Sequence, residues 1–206
     1  MTREPLHKQR VFALDVRSKR LGYAAFERGT LLDVGVVRFE SPLAAKSRLQ
    51  IFMRRFRPGI VALRTLSRKS SRNCKGTRAI LRIVRRVAQY SSVCLVLIRE
   101  KGIRGRFLEL GATTKYQIAL FLVEAFPTLA SRLPPPRRPW RGEHRNMAIF
   151  DAVALGFVYL DDEGDSHVAC SNPKYCTMSP FAGPSAMNRP DYTVHRVWEG
   201  PTKGLR

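Results

Sequence analysis

The opening of the chain constrains its fold more than any other segment. A short apolar run begins at Val11 and ends in a single carboxylate, Asp15. A polar turn follows, and a second apolar run then extends from Leu21 through Gly22 to Phe26. Two apolar runs around a short polar turn predict a β-hairpin, with the acid at the end of its first strand. Because a buried strand is a rigid base, a carboxylate at this position can hold a metal ion or a reacting group in place.

A second isolated acid, Asp151, lies in the apolar run 149–156, which is predicted to be helical. A lone charge on an apolar helix face is costly unless it has a partner. Asp15 and Asp151 are therefore the leading candidates for a functional site. Two alternatives stay open at this point. Asp15 could cap the hairpin turn, and Asp151 could form a salt bridge with an arginine such as Arg64.

The charge of the chain points to a polyanionic partner. Its 206 residues carry a formal net charge of +21, and 44% of them are hydrophobic, which is enough for a sizeable core. Nucleic acid is the first candidate for the partner, and an anionic membrane surface is the second. We expect no membrane partner, because no long apolar span is present. The basic, polar first ten residues and the absence of a CxxC pair among the four cysteines predict a reduced, cytoplasmic environment.

Hydrophobic periodicity predicts alternating strands and helices. Apolar positions spaced as in a helix occur between basic residues over 41–57, whereas short apolar runs bounded by turn residues read as strands. The segments 64–76 and 99–112 are basic and rich in turn residues, and we predict loops there. The predicted strands are 11–16, 21–27, 31–39, 60–63 and 93–98, and the predicted helices are 41–57, 78–90, 115–125 and 144–160.

This order of elements predicts an α/β domain with a mixed five-stranded sheet. Three antiparallel strands would continue into two parallel strands, and helices would flank the sheet. We expect three segments in the chain: a basic N-terminal arm over 1–10, one domain over 11–161, and a poorly ordered or extended C-terminal tail over 162–206. The tail is predicted from its loss of periodicity and its content of Gly, Ser, Asn and Pro.

Three motifs in this order resemble the ribonuclease H-like superfamily, and the RuvC-type junction resolvases within it. The first is Ala13-Leu-Asp-Val-Arg-Ser18 with Gly22-Tyr-Ala24, and the second is Phe150-Asp-Ala-Val-Ala-Leu155. A softer match is Thr113-Thr-Lys-Tyr-Gln-Ile118, which is similar to the family segment in which a lysine near a helix start faces the nucleic-acid backbone. The resemblance covers roughly residues 11–160 and implies the ribonuclease H-like sheet.

The resemblance also implies a metal-dependent endonuclease acting on structured nucleic acid, with branched DNA such as the Holliday junction as the first candidate. In such enzymes a cluster of carboxylates binds divalent ions, Mg²⁺ or Mn²⁺, which activate a water for phosphodiester hydrolysis. Asp15 and Asp151 match the family acids, and Glu143 is the third candidate catalytic and metal-binding residue. Family members act as dimers, so the resemblance implies a homodimer as well.

Two positions depart from the family pattern. The family places a glutamate at the end of the fourth strand, where this chain has Arg64. It places another acid or a histidine three residues before the last aspartate, where this chain has Ala148. These departures support an alternative function, a catalytically weak or inactive relative that keeps the fold and binds DNA or RNA through its basic surface.

The basic residues of the middle of the chain are candidates for phosphate binding. Between 64 and 106 they far outnumber the acids. These positive side chains would repel one another unless a polyanion neutralised them. Trp140 has two interpretations, stacking on a base or covering the core. The predicted nucleic-acid-binding residues are Arg17, Arg64, Arg68, Lys69, Arg72, Lys75, Arg104, Arg106 and Lys115.

Overall fold

The computed structural model describes residues 10–66, 74–136, 140 and 142–165, with side chains up to Asp161. Five strands in this part of the chain form one mixed sheet in the order β3-β2-β1-β4-β5. β1 pairs antiparallel with β2 and parallel with β4, β2 pairs antiparallel with β3, and β4 pairs parallel with β5. The predicted α/β fold is therefore confirmed. The strands are β1 (Arg10–Val16), β2 (Arg20–Glu27), β3 (Thr30–Arg38), β4 (Ile60–Arg64) and β5 (Cys94–Ile98).

Helices cover both faces of the sheet. α1 and α2 pack with Phe12 and Leu14 of β1 on one face, and α3, α4 and α5 pack with Val11 and Ala13 on the other. The alternation along β1 explains the division, because successive side chains of a strand point to opposite faces. The helices are α1 (Pro42–Phe56), α2 (Lys75–Tyr90), α3 (Glu100–Glu109), α4 (Lys115–Ala125) and α5 (Met147–Asp165), with a short 3-10 helix at Pro127–Arg132.

Helix α3 corrects the prediction of a loop after β5. Gly102 and Gly105 weaken a helix by roughly 1 kcal/mol each relative to alanine, which is why the segment reads as a loop. Ile103 and Phe107, one helical turn apart, are only 4% and 0% exposed. Burial of two large apolar side chains on one face outweighs the local cost of the glycines.

Several other element boundaries differ from the prediction. α2 begins at Lys75, inside the predicted loop 64–76, and α5 continues to Asp165, into the predicted tail. α5 begins at Met147, three residues later than predicted, and leaves Glu143 in the segment before the helix. β4 extends to Arg64, which is buried, and was predicted to begin the following loop. The predicted N-terminal arm up to residue 9, and residues 166–206 of the predicted tail, lie outside the described residues.

The close approach of α5 to the sheet depends on Gly22. A Cβ atom built on Gly22 would lie 2.1 Å from the backbone oxygen of Ala148, far inside normal contact. Only a residue without a side chain lets β2 and the first turn of α5 meet at this distance. This contact fixes the position of Asp151, which lies less than one turn further along α5. Among the helices that the structure describes, none combines the length and the apolar composition needed to cross a membrane.

Candidate functional site

The candidate site lies at the carboxyl ends of β1 and β4, on the face covered by α5. β1 and β4 are parallel neighbours, so both strands end at the same edge of the sheet. Asp15 shares the strand face of Val11 and Ala13, and Arg64 shares that of Ile60 and Ala62. Strand alternation thus directs an acid and an arginine towards the same helix.

Asp15, Asp151 and Arg64 are the charged residues in the described part of the chain that are almost fully buried, with exposures of 1%, 8% and 9%. Buried charges are stable only when they are paired. All three belong to a single ion network around the guanidinium of Arg17, the residue that follows β1.

Arg17 donates to three carboxylates at once. Its Nε bonds Asp15 Oδ2 at 2.8 Å, its Nη1 bonds Glu143 Oε2 at 2.6 Å, and its Nη2 bonds Asp151 Oδ2 at 2.8 Å. The planar fork of arginine suits such simultaneous contacts. Asp15 and Asp151 therefore converge as predicted, and Glu143 joins them, but their common partner is a side chain of the same chain.

Arg64 and Lys115 complete the network. Arg64 Nη2 donates to Asp151 Oδ1 at 3.2 Å. Asp151 therefore forms the salt bridge with Arg64 that was the alternative interpretation of this residue. Lys115 Nζ contacts Glu143 Oε1 and lies 3.6 Å from Asp151 Oδ2. Thr114 and Gln117 form a capping box that starts α4 and places Lys115 at the site.

In the network, Arg17, Arg64 and Lys115 form ion pairs with Asp15, Glu143 and Asp151. Burial by itself lowers the pKa of Arg17, but the charge of Asp15 and its hydrogen bond, with the charges of Glu143 and Asp151, raise the pKa above its ordinary value. Burial raises the pKa of Glu143, but contacts with Lys115 and Arg17 outweigh it and lower that pKa below 4.5. Arg17 and Glu143 therefore hold each other in their charged forms at neutral pH.

This arrangement does not fit the metal ion that the resemblance implies. Oxygen atoms of all three candidate ligands are directed at the guanidinium of Arg17, and a divalent cation at that position would meet it directly. Arg64 adds a second positive charge where the family has an acid. Within the described ranges, no group of three or more His, Cys, Asp or Glu side chains is placed to hold a metal ion.

The other predicted nucleic-acid-binding residues are distributed over the edge of the site and α3. Lys75, at the start of α2, is exposed. Arg104 is 71% exposed and pairs with Glu100, and Arg106 pairs with Glu109 and Asp161. The predicted residues Arg68, Lys69 and Arg72 lie outside the described residues.

Arg17 and Arg64 differ from the expected surface cations. Their side chains are only 12% and 8% exposed, and carboxylates occupy their donors. A contact of either with phosphate stays a prediction. Trp140 is 77% exposed, which rules out the interpretation that it covers the core.

Two functional features were missed in the sequence. The first is the role of Arg17, which the sequence predicts only as a phosphate ligand. Its spacing of two residues from Asp15 is the available signal, because side chains two residues apart share a strand face. The second is a set of exposed cations on α1, for which the sequence predicts no binding role. They are Lys46, Arg48, Arg54 and Arg55.

Comparisons with known proteins identify the fold. No protein-family model and no curated protein matches the chain. Thermus thermophilus RuvC, solved in complex with a Holliday junction substrate, is 17% identical; the match covers 76% of this chain and 96% of that protein, with a TM-score of 0.57. The yeast mitochondrial Holliday junction resolvase is 9% identical over 76% of this chain and 80% of its own, with a TM-score of 0.57.

A viral structure gives the same result. The fowlpox virus Holliday junction resolvase is 13% identical over 74% of this chain and 99% of its own, with a TM-score of 0.51. The fold is therefore ribonuclease H-like. Within that class the chain is structurally similar to the RuvC-type resolvases, as its motifs predicted.

Proposed function

We propose that this protein binds nucleic acid, branched DNA in the first instance, through its basic surface, and that it does so without a metal ion. One observation carries the proposal: the guanidinium of Arg17 binds all three carboxylates at the edge of the sheet. An acid cluster without cations would repel phosphates, whereas this one is neutralised by side chains of the chain itself. Phosphate groups can then approach the edge without a metal ion between them and the acids.

The surface formed by α1 and α2 supplies the attraction. Neither helix contains an acidic residue, and their basic side chains are exposed. The two helices pack against one another on one face of the sheet. Cations that contact phosphates release condensed counterions, which supplies affinity without base recognition. On α2 these side chains are Lys75, Arg78, Arg82, Arg85 and Arg86.

The structural neighbours support branched DNA as the first ligand to test. Thermus thermophilus RuvC was solved with a Holliday junction substrate, and the yeast and fowlpox neighbours are Holliday junction resolvases. Each matches most of the described domain.

A metal-dependent endonuclease is the second candidate function, and one observation favours it. Glu143 joins Asp15 and Asp151, so three carboxylates from separate segments surround one guanidinium. In this candidate Asp15, Glu143 and Asp151 would hold Mg²⁺ or Mn²⁺, which would activate a water for phosphodiester hydrolysis, and they would have to exchange their bonds to Arg17 for the ion. Asp15→Asn would then abolish cleavage and leave DNA binding close to normal, because the amide keeps the size of the acid but not its charge.

Gel-shift titrations with a four-way junction and a linear duplex of the same strands distinguish the candidates. In excess chelator we expect tight binding of the junction that weakens steeply as KCl rises. With Mg²⁺ or Mn²⁺ we expect the DNA to remain intact. Absence of binding to either DNA would refute the proposal. Metal-dependent cleavage that disappears in Asp15→Asn would establish the endonuclease instead.

A further inference from the structure

We infer that Arg17 is a built-in cation that takes the place of a metal ion in the acid centre, so that removing its guanidinium creates a site for one divalent cation. The inference rests on the proposed function, in which the protein binds DNA without a metal ion. A cation built into the acid centre makes such binding possible. It concerns a binding property that the chain acquires when a single side chain is shortened.

The three carboxylates supply oxygen ligands of the right kind, although with Arg17 present they bond three different nitrogen atoms and are not placed to hold a metal ion. Removal of Arg17 frees these oxygens to close around one ion. The carboxylates come from three separate segments: the end of β1, the residues before α5, and α5 itself. Each directs an oxygen at the same guanidinium over 2.6–2.8 Å. Carboxylate oxygens from separate elements, with water completing the shell, are the ligands that Mg²⁺ and Mn²⁺ take in proteins.

The charge balance favours a cation in the variant. In the wild-type protein Asp15, Glu143 and Asp151 face Arg17, Arg64 and Lys115. Without Arg17, the three carboxylates would lose the cation that they share, and Asp15, only 1% exposed, would lose a charged partner. A divalent ion restores the missing positive charge. Arg64 remains beside Asp151 and opposes a second ion, so we expect one site.

The backbone tolerates the change. The non-glycine residues with positive φ in the described ranges are Arg28, Arg57 and Ser92, so Arg17 has an ordinary conformation. The backbone N–H of Arg17 closes the hairpin turn on the carbonyl oxygen of Arg20 at 3.0 Å, a bond that alanine keeps. Arg17→Ala therefore removes the cation without changing the turn.

Titration of the full chain with MnCl₂, by calorimetry and thermal unfolding, tests the inference. We expect no Mn²⁺ binding and an unchanged Tm for the wild type and for Arg55→Ala, a control that removes an arginine paired with Asp33 at the surface. Arg17→Ala should have a lower Tm in chelator, bind one Mn²⁺, and regain several degrees of Tm. Arg17→Ala combined with Asp151→Asn should lose the Mn²⁺ effect.

Two results would overturn the inference: one-to-one Mn²⁺ binding by the wild type that Asp151→Asn removes, or a folded Arg17→Ala protein that binds no Mn²⁺. If Arg17→Ala does not fold in chelator, refolding with and without Mn²⁺ examines the same site. Recovery only with Mn²⁺ supports the inference, and failure in both conditions counts against it. These measurements contain no DNA, so they are read independently of the gel shifts that test the proposed function.

Discussion

Arg17 Nη2 donates a 2.8 Å hydrogen bond to Asp151 Oδ2, across 134 positions of the sequence. This bond ties the end of the first strand to the last helix of the described domain. The same guanidinium bonds Asp15 and Glu143, so the residue after β1 connects three segments of the chain. The predictions below follow from this network and from the surfaces beside it.

We expect Arg17→Met to reduce the free energy of unfolding by about 3–5 kcal/mol, because it leaves buried carboxylates without their main partner. Urea unfolding at neutral pH measures the loss. The control is Arg55→Met, since Arg55 is 63% exposed and its pair with Asp33 lies at the surface. An exposed pair contributes about 0–1 kcal/mol. Equal losses in the two variants would show that the Arg17 network does not stabilise the fold.

Glu143 should stabilise the protein in a pH-dependent manner. Contacts with Lys115 and Arg17 lower its pKa below the ordinary 4.5. A carboxyl whose pKa is lowered by folding stabilises the native state above its unfolded pKa, and the stabilisation is lost as the pH falls through the folded value. Glu143→Gln should therefore be less stable than the wild type by about 1–2 kcal/mol at pH 7.

That difference should shrink as the pH falls below about 4.5, the ordinary pKa of the group. Urea unfolding of both proteins at a series of pH values provides the comparison. A gap that stays constant through the acid range would mean that the charge of Glu143 contributes nothing to it.

Gly22→Ala should destabilise the domain by roughly 1–3 kcal/mol, because the added Cβ forces α5 away from β2. The new atom would lie 2.1 Å from the backbone oxygen of Ala148. Gly105→Ala is the matched control, since nothing lies within 4 Å of a Cβ there and the residue is inside α3. It should be neutral or stabilising by up to about 1 kcal/mol. Thermal unfolding compares the two, and a neutral Gly22→Ala would contradict the close packing.

Charge reversal on α2 should weaken DNA binding more than the same reversal elsewhere. Arg82 and Arg86 are exposed one helical turn apart on the acid-free face, so Arg82→Glu with Arg86→Glu should lower affinity at least roughly tenfold and reduce its salt dependence. Arg28→Glu with Arg132→Glu makes an equal change of net charge at exposed positions outside α1 and α2. Gel shifts over a KCl series measure both. Similar losses in the two variants would indicate that net charge alone governs binding.

The sheet and the two acids could be predicted because their signals are local. Apolar runs, turn residues and the alternation along β1 depend on neighbouring residues, and a period of two places Asp15 on a defined face. α3 could not be predicted in this way. Its glycines disfavour a helix locally, and the burial of Ile103 and Phe107 becomes evident only when the helix packs on the sheet.

The sequence by itself determined the order of the five strands and of four of the five α-helices that the structure describes, the positions of Asp15 and Asp151 on apolar elements, and the basic character of the chain. The tertiary structure decided what those acids bind. Arg17 meets Glu143 and Asp151 across 126 and 134 positions, contacts that no local pattern encodes. Burial requires each carboxylate to have a charged partner, because an unpaired buried charge is costly. The packing of strands and helices around the carboxylates then decides which cation that partner is.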